Sequence, residues 1–482
     1  MEQFQPLLTC KICKTAITIA YSLHKRSVFI IRYFMLLKGL NSIKKIYFIG
    51  IGGISMSALA KFLSTRGYLV SGSDATQNEE TESLAFYGVK VFIGEDGERA
   101  QLTNADAVVF TDAIPAEHSE LKKAKMLGKR LISRADLLEL ISKEFPHVTA
   151  VAGSHGKTTC TSMCAHVLKS VGVPFTAHIG GEDSVFGNFY SSGNEHFLTE
   201  ACEYKRNMLK LSPSVSVVLN IDKDHMECYQ TETELIDCFQ RYCLNSKTAF
   251  VCADNPNCEK LGDFATFGIE NPFSDYRAID LRAKDERYSF TVEEYGKQIC
   301  RVRLNAIGKC NVYNALAAFA AMRSYGFNPE EIKRGVESFK AVKRRFEKIG
   351  AYKGASFICD YAHHPREILS TIATAQNVCK GELYVIFQPH TYSRTRLLMK
   401  EFVEVLRPIK NLMIYKTYPA REKYDAAGSA QALSNCVGGC LYSENIYVLK
   451  TWLKKTLREG DVALFLGAGD IYFAAQYLLK EL

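Results

Sequence analysis

The stretch that most constrains this chain of 482 residues is 148–161, VTAVAGSHGKTTCT. A β-prone run, Val148 to Val151, breaks at Gly153, and a helix-compatible segment resumes after Gly156-Lys157-Thr158-Thr159. A strand, a glycine-bounded turn and a helix start with lysine and hydroxyls at its mouth make a phosphate-holding unit. The first N–H groups of a helix lack partners within it and can point at phosphate oxygens. Lys157 can bridge the outer phosphates, and a threonine hydroxyl can hold Mg²⁺. One position departs from the usual spacing: Val151 stands five residues before Gly156, where glycine or alanine is expected. The plain alternative is an ordinary strand–helix turn.

The length suits two to four domains, and 47% apolar with 23% charged residues describes a globular chain with a sizeable core. Sixteen cysteines are scattered without a repeated spacing. Cys10 and Cys13 form the single CxxC, with no second pair at zinc-like distance, so free thiols in a reducing compartment are expected. The net charge of +8 is concentrated: residues 1–45 hold eight Lys/Arg and one acid, Glu2. The remaining chain is close to neutral, and charge gives no argument for nucleic-acid binding. Residues 1–44 read as a basic extension outside any domain, with Met35 just before the first organised strand as a candidate start. Lys25, Arg26, Arg32 and Lys38 interrupt the apolar runs there, so no integral membrane segment is expected. A basic helix touching a membrane surface is the alternative.

From residue 45 the chain alternates strands and helices. A strand at 45–49 meets Gly50-Ile-Gly52-Gly53, an apolar-periodic helix follows, and a second strand ends at Asp74. This is the βαβ opening of a nucleotide-binding sheet, with Ser55 in place of the third glycine of the dinucleotide fingerprint. After the phosphate loop, one strand ends near Glu200 and Glu203, and another leads into Asp222, Asp224 and His225. Ligands collect at the carboxyl ends of strands in open α/β sheets. Glu200 and His225 are therefore candidates for a metal or a phosphate-bound water, with helix caps and a loop histidine as the plainer alternative. Asn311 and Asn314 share a helix face and could read a purine edge, although taken alone capping or a polar surface explains them better. Strand-end clusters recur around Asp360, His363 and Arg366, then His390, Arg394 and Arg396, and a third glycine turn stands at 467–470. The fold class is α/β with three sheet units.

GIGGISMSALA, GSHGKTT, LNIDKDHM, KRRFE, DYAHHPREI, FQPHTYSRTR and a terminal GAGD occur in that order. In combination they resemble the Mur ligases of peptidoglycan synthesis across about residues 45–475. The resemblance implies a Rossmann-like UDP-sugar domain at 45–143, a central P-loop ATPase domain at 144–342, and a Rossmann-like domain at 343–482 that closes over an amino acid. It implies ATP-dependent ligation of L-alanine to the lactyl carboxylate of UDP-N-acetylmuramate through an acyl phosphate, in the cytoplasm, by a monomer or homodimer. Carried over by position, Gly153, Ser154, His155, Gly156, Lys157, Thr158 and Thr159 cradle ATP, with Thr158, Glu200 and His225 on Mg²⁺. Asn311 and Asn314 face adenine. Arg345, Asp360, His363, Arg394 and Arg396 approach the phosphates, the acceptor carboxylate or the amino acid. Gly50, Gly52, Gly53 and Asp74 belong to the UDP-sugar turn.

Three departures stand out. Glu200-Ala-Cys202-Glu203 replaces an EADES run, which leaves open which glutamate meets the metal. Cys310 replaces a histidine, and Ser154 a threonine. No lysine is assigned to the carbamylated position that some members use. The rival expectations are a ligase that attaches a preformed tripeptide to the same nucleotide sugar and a nicotinamide-dependent oxidoreductase.

Overall fold

The computed structural model describes residues 37–482 apart from 97, 224, 225, 227, 285, 286 and 421. The chain divides into two compact units, Met1–Glu144 and Phe145–Leu482.

The first unit is a five-stranded parallel sheet: β1 (Lys45–Ile49), β2 (Leu69–Asp74), β3 (Lys90–Ile93), β4 (Ala107–Phe110) and β5 (Arg130–Ser133), in the order β3-β2-β1-β4-β5. The order reverses at β1, which opens a crevice at its carboxyl end, and the Gly50 turn lies there. The helix Ile54–Thr65 is buried on all sides from Met56 to Leu63, as befits a helix hydrophobic nearly all round. The expected extension through residue 44 needs a correction. Leu37, Leu40 and Ile43 are buried, and the Leu37 N–H donates to Tyr68 Oη at 2.9 Å. Three apolar residues at a spacing of three put one covered face on this segment, so it packs on the first unit through Leu37, Leu40 and Ile43. The rest of the extension lies outside the described residues.

In the second unit, β6 (His147–Ala152) is central to a ten-stranded sheet. The others are β7 (Phe175–Asp183), β8 (Gly187–Ser191), β9 (His196–Glu200), β10 (Val215–Val218), β11 (Thr248–Cys252), β12 (Ala265–Gly268), β13 (Tyr276–Lys284), β14 (Arg287–Glu294) and β15 (Lys297–Ile307). Their order is β15-β14-β13-β12-β11-β10-β6-β9-β7-β8. β6 pairs in parallel with β10 and β9, so both acid-bearing strand ends open beside the end of β6. The antiparallel arm β13–β15 is absent from the sequence expectation. Tyr295 at φ 46° and Gly296 at φ 75° make its last tight turn.

A six-stranded sheet follows: β16 (Glu347–Tyr352), β17 (Ala355–Asp360), β18 (Leu383–Phe387), β19 (Asn411–Tyr415), β20 (Leu441–Ser443) and β21 (Val462–Leu466), in the order β16-β17-β21-β18-β19-β20. Only β16 runs antiparallel. Alternate residues serve opposite cores. Ile358, Val385, Leu412 and Leu464 enter one cluster; Phe357, Ile386, Met413 and Phe465 enter the other. A sheet covered on both faces explains why its strands read as continuous apolar runs.

The two sheets of this unit are joined through 343–346. The Lys343 N–H donates to Glu182 O at 2.9 Å, and Tyr361 N–H to Arg344 O at 2.6 Å. Arg344 and Phe346 are left-handed, at φ 62° and 47°. The Arg344 guanidinium lies over Tyr472 and Phe473, 4.6 and 4.8 Å from their ring centres. Among the described residues no helix is long and apolar enough to cross a membrane, and all the cysteines are free thiols.

Candidate active site

β6 delivers the phosphate loop to the mouth of the helix Lys157–Val171. Gly153 and Gly156 have φ of 137° and 85°, conformations that L side chains rarely adopt. A Cβ on Gly156 would also stand 2.5 Å from Asn314 Oδ1. Asn220, just past β10, brackets the loop: its Oδ1 accepts from His155 N at 2.8 Å, and its Nδ2 donates to His155 O at 3.1 Å. Asp222 N donates to Ser154 Oγ at 2.8 Å. These contacts tie the loop to the end of β10.

Lys157 Nζ donates to Gly153 O, to Ser154 O at 3.3 Å, and to both Glu203 oxygens at 3.1 Å. Burial would lower its pKa, but the Glu203 charge, helped by Cys202 and Glu200, outweighs burial and pushes it up to about 12. Glu203 was the unassigned acid of the sequence, and here it is the lysine's carboxylate partner. Glu200 stands at the end of β9, opposite Val151. Its Oε1 accepts from Gly180 N at 2.7 Å, and a Cβ on Gly180 would come within 2.5 Å of that carboxylate. Thr158 is buried at the helix start. His225 lies outside the described residues.

Beside the loop is a cavity of about 400 Å³. Its wall includes His155, Gly156 and Thr159 of the loop, Asn311 and Asn314 of the helix Cys310–Arg323, and Arg345, Asp360 and Glu367 from the six-stranded part. Asn311 Nδ2 donates to Ile307 O at 2.7 Å, and Asn314 Nδ2 to Asn311 Oδ1 at 3.0 Å, so the two amides hold each other on one face. Cys310 lines the same cavity and is exposed there. Asp360 accepts from Phe346 N and Ala362 N, both at 2.7 Å. Burial raises its carboxyl to about 6 in spite of Arg345 and those N–H groups.

His363 Nδ1 lies 2.9 Å from Tyr361 O and 3.4 Å from Glu367 Oε2, with its ring 5.6 Å from that of His390. Arg394 Nη1 is 3.3 Å from His390 Nδ1, and His390 stacks on Tyr418. Thr391, the cap of the helix Tyr392–Leu397, is held at φ 66°, and its N–H donates to Tyr418 O at 3.0 Å. Arg394 and Arg396 are two residues apart and so diverge on the helix. Arg396 is exposed and donates to Asp425 at 2.8 Å, away from the histidines.

In the first unit, Gly50 N and Ile51 N donate to Ser73 O, and Gly52 N donates to Asp74 Oδ2 at 2.8 Å. Gly53 caps the helix Ile54–Thr65. Asp74 thus braces the glycine turn rather than standing free for a ribose.

Sequence reasoning put Asp222 and Arg366 in strand-end clusters but gave neither a partner, and it gave Glu367 no role. His155 Nε2 is 3.0 Å from Asp222 Oδ2, and its Nδ1 is 2.9 Å from Glu367 Oε1. Burial works against the imidazolium, but Glu367 and Asp222 together push its pKa up to about 9. The available signal was their place inside the quoted strand-end motifs.

A left-handed glycine cradle at a helix mouth, with a buried lysine and strand-end acids, defines a P-loop nucleotide-binding protein. Residues 45–146 match the Mur ligase family, catalytic domain; 151–322 match the Mur ligase middle domain; and 344–469 match the Mur ligase, glutamate ligase domain. A UDP-N-acetylmuramate–L-alanine ligase from Alkaliphilus metalliredigens is 37% identical over 454 residues, 92% of this chain and 98% of that protein. The chain belongs to the Mur ligase family. The crystal structure of UDP-N-acetylmuramate–alanine ligase from Thermotoga maritima superposes with a TM-score of 0.78 at 29% identity, covering 91% of this chain and 98% of that one. A murein peptide ligase from Psychrobacter arcticus shares the fold at a TM-score of 0.72 and 22% identity, with the same coverage.

Proposed function

We infer that this chain is an ATP-dependent ligase that joins L-alanine to the lactyl carboxylate of UDP-N-acetylmuramate, releasing ADP and phosphate, in peptidoglycan precursor synthesis. The observation that carries the reading is the cavity shared by the phosphate loop and by Arg345 and Asp360, in a chain that spans 98% of a relative bearing that activity in its name.

The chemistry asks for what these residues offer. A carboxylate and a γ-phosphate repel each other, so their charge must be neutralised where water is excluded. Gly153 to Thr159 hold the phosphates at the helix mouth, and Lys157 exchanges Glu203 for phosphate oxygens. Asn311 and Asn314 meet the adenine side. Arg345 and Asp360 border the phosphates, while His363 and Arg394 serve the amino acid and the acyl phosphate. The L-alanine amine attacks that acyl phosphate, and phosphate leaves from the tetrahedral intermediate. Gly50, Gly52 and Gly53, braced by Asp74, seat the diphosphate of the nucleotide sugar.

Thr158, Glu200 and His225 would hold Mg²⁺. Hydroxyl and carboxylate are hard donors, and the missing Cβ at Gly180 keeps room for the Glu200 carboxylate. The cation would be held by phosphates and water besides these side chains. It would supply neutralising charge to the phosphates. One chain carries every group named, so a monomer suffices and a homodimer is compatible. The enzyme works in the cytoplasm, where ATP and the nucleotide sugar are found.

The test is ADP release with UDP-N-acetylmuramate plus L-alanine, glycine, L-serine or the tripeptide. Turnover with L-alanine above the others is expected. Turnover with the tripeptide alone would overturn the reading in favour of a recycling ligase.

A further inference from the structure

Glu367 has two jobs at once. As the third residue of the helix Pro365–Val378 it caps the helix start, its Oε2 accepting from His363 N at 3.0 Å and His364 N at 3.2 Å. A cap needs only that oxygen. The other, Oε1, reaches across to His155 Nδ1 of the phosphate loop at 2.9 Å. Beyond the ring, His155 Nε2 meets Asp222 Oδ2 at 3.0 Å, and the second Asp222 oxygen takes the guanidinium of Arg366. His155 and Asp222 belong to the ten-stranded part; Arg366 and Glu367 belong to the six-stranded part.

The arrangement is crossed. The side chains of Asp222 and Glu367 are 5% and 13% exposed, and carboxylates so enclosed persist only with opposed cations. Asp222 draws one cation, Arg366, from the other sheet, and Glu367 draws one, His155, in the same way. Separating the two parts would strip both carboxylates of these partners. Because Glu367 also fixes the His363 backbone, the chain of contacts runs from the nucleotide cradle to the amino-acid side.

We propose that His155, Asp222, Arg366 and Glu367 form a closure latch, positioning residues that dock the six-stranded part on the phosphate loop and set His363 only when the two parts are together. The proposal rests on the reading of the phosphate loop and His363 given above.

The test substitutes one sheet and reads the other. In the full chain, His155→Gln is compared with wild type by amide hydrogen exchange, with and without AMP-PNP and Mg²⁺. Exchange at His363 and His364, whose N–H groups do not touch residue 155, is expected to speed up about tenfold. In steady state, His155→Gln and Glu367→Gln should each lower kcat by about tenfold or more, with KM for ATP within about threefold. The double variant should be no worse than the poorer single one, because the two act as a unit. Unchanged exchange at 363–364, or losses that multiply in the double variant, would overturn the latch. Should either substitution prevent folding, Arg366→Ala carries the test by the same exchange readout, since that side chain is 67% exposed. Exchange needs no turnover, so a failed L-alanine assay with faster exchange overturns the activity and leaves the latch standing.

Discussion

Lys157→Ala separates two roles of one buried cation. Its ammonium lies 3.1 Å from Glu203, with side chains only 17% and 1% exposed. Unit charges at that distance attract by about 5 kcal/mol at an effective dielectric constant of about 20. Removing one member of such a pair leaves the other buried and unpaired, at a cost of about 3–5 kcal/mol. The variant should therefore melt several degrees lower. It should also lose a donor aimed at the transferring phosphate, worth about 2.7–4 kcal/mol, or roughly 10²–10³ in kcat. The pairing with Glu203 allows the two losses to be pulled apart. In Lys157→Ala combined with Glu203→Gln the orphaned charge is gone, so the melting temperature should recover most of its fall while ADP release stays depressed. The measurements are thermal unfolding by circular dichroism and coupled ADP release. Near-normal kcat in Lys157→Ala, or restored turnover in the double variant, would refute the assigned role.

Other outcomes follow from named contacts. The pKa of His155, raised to about 9, means that its contribution is fully present below about 6.5 and is lost as pH rises through 9. The shift corresponds to about 3 kcal/mol. His155→Gln should abolish that part of the pH dependence of unfolding in urea. Burial opposes ionisation of Glu367, but His363 and His155 hold it well below the usual range, so its contribution is present at neutral pH and falls away in acid. Gly180→Ala should keep the fold, displace Glu200, and raise the Mg²⁺ concentration needed for half-maximal turnover by about tenfold or more; an unchanged requirement would separate Glu200 from the cation. Deleting residues 1–34 should leave kcat and melting temperature unchanged, because the described packing includes Leu37; a loss of either would assign the extension a structural part.

Much of this architecture could be read from the chain because its strongest signals are local. The phosphate loop needs glycine at two left-handed positions and a lysine beside them, and those requirements are written in consecutive residues. Three strands of the six-stranded sheet, β17, β18 and β21, were legible as apolar runs because both of its faces are covered. The antiparallel arm Tyr276–Ile307 is harder to read, because its half-exposed strands alternate without the helices that set off the others, and only the Tyr295-Gly296 turn marks it. Site partners were harder. Glu203 pairs with Lys157 across 46 residues, and His155 with Glu367 across 212. Nothing local to either residue announces such a meeting. Arg396 shows the opposite limit: a motif includes it, yet helix geometry turns it toward Asp425.

The left-handed junction has a consequence for how the two parts of the second unit separate. Arg344 and Phe346, two non-glycine residues within three positions, sit at φ 62° and 47°, each costing about 1–2 kcal/mol relative to the ordinary helical or extended basins. A rotation that returns both to those basins releases about 2–4 kcal/mol, an equilibrium factor of roughly 30–1,000. The junction therefore stores torsional free energy in this arrangement, and its own contacts, among them the Arg344 guanidinium over Tyr472 and Phe473, must offset it.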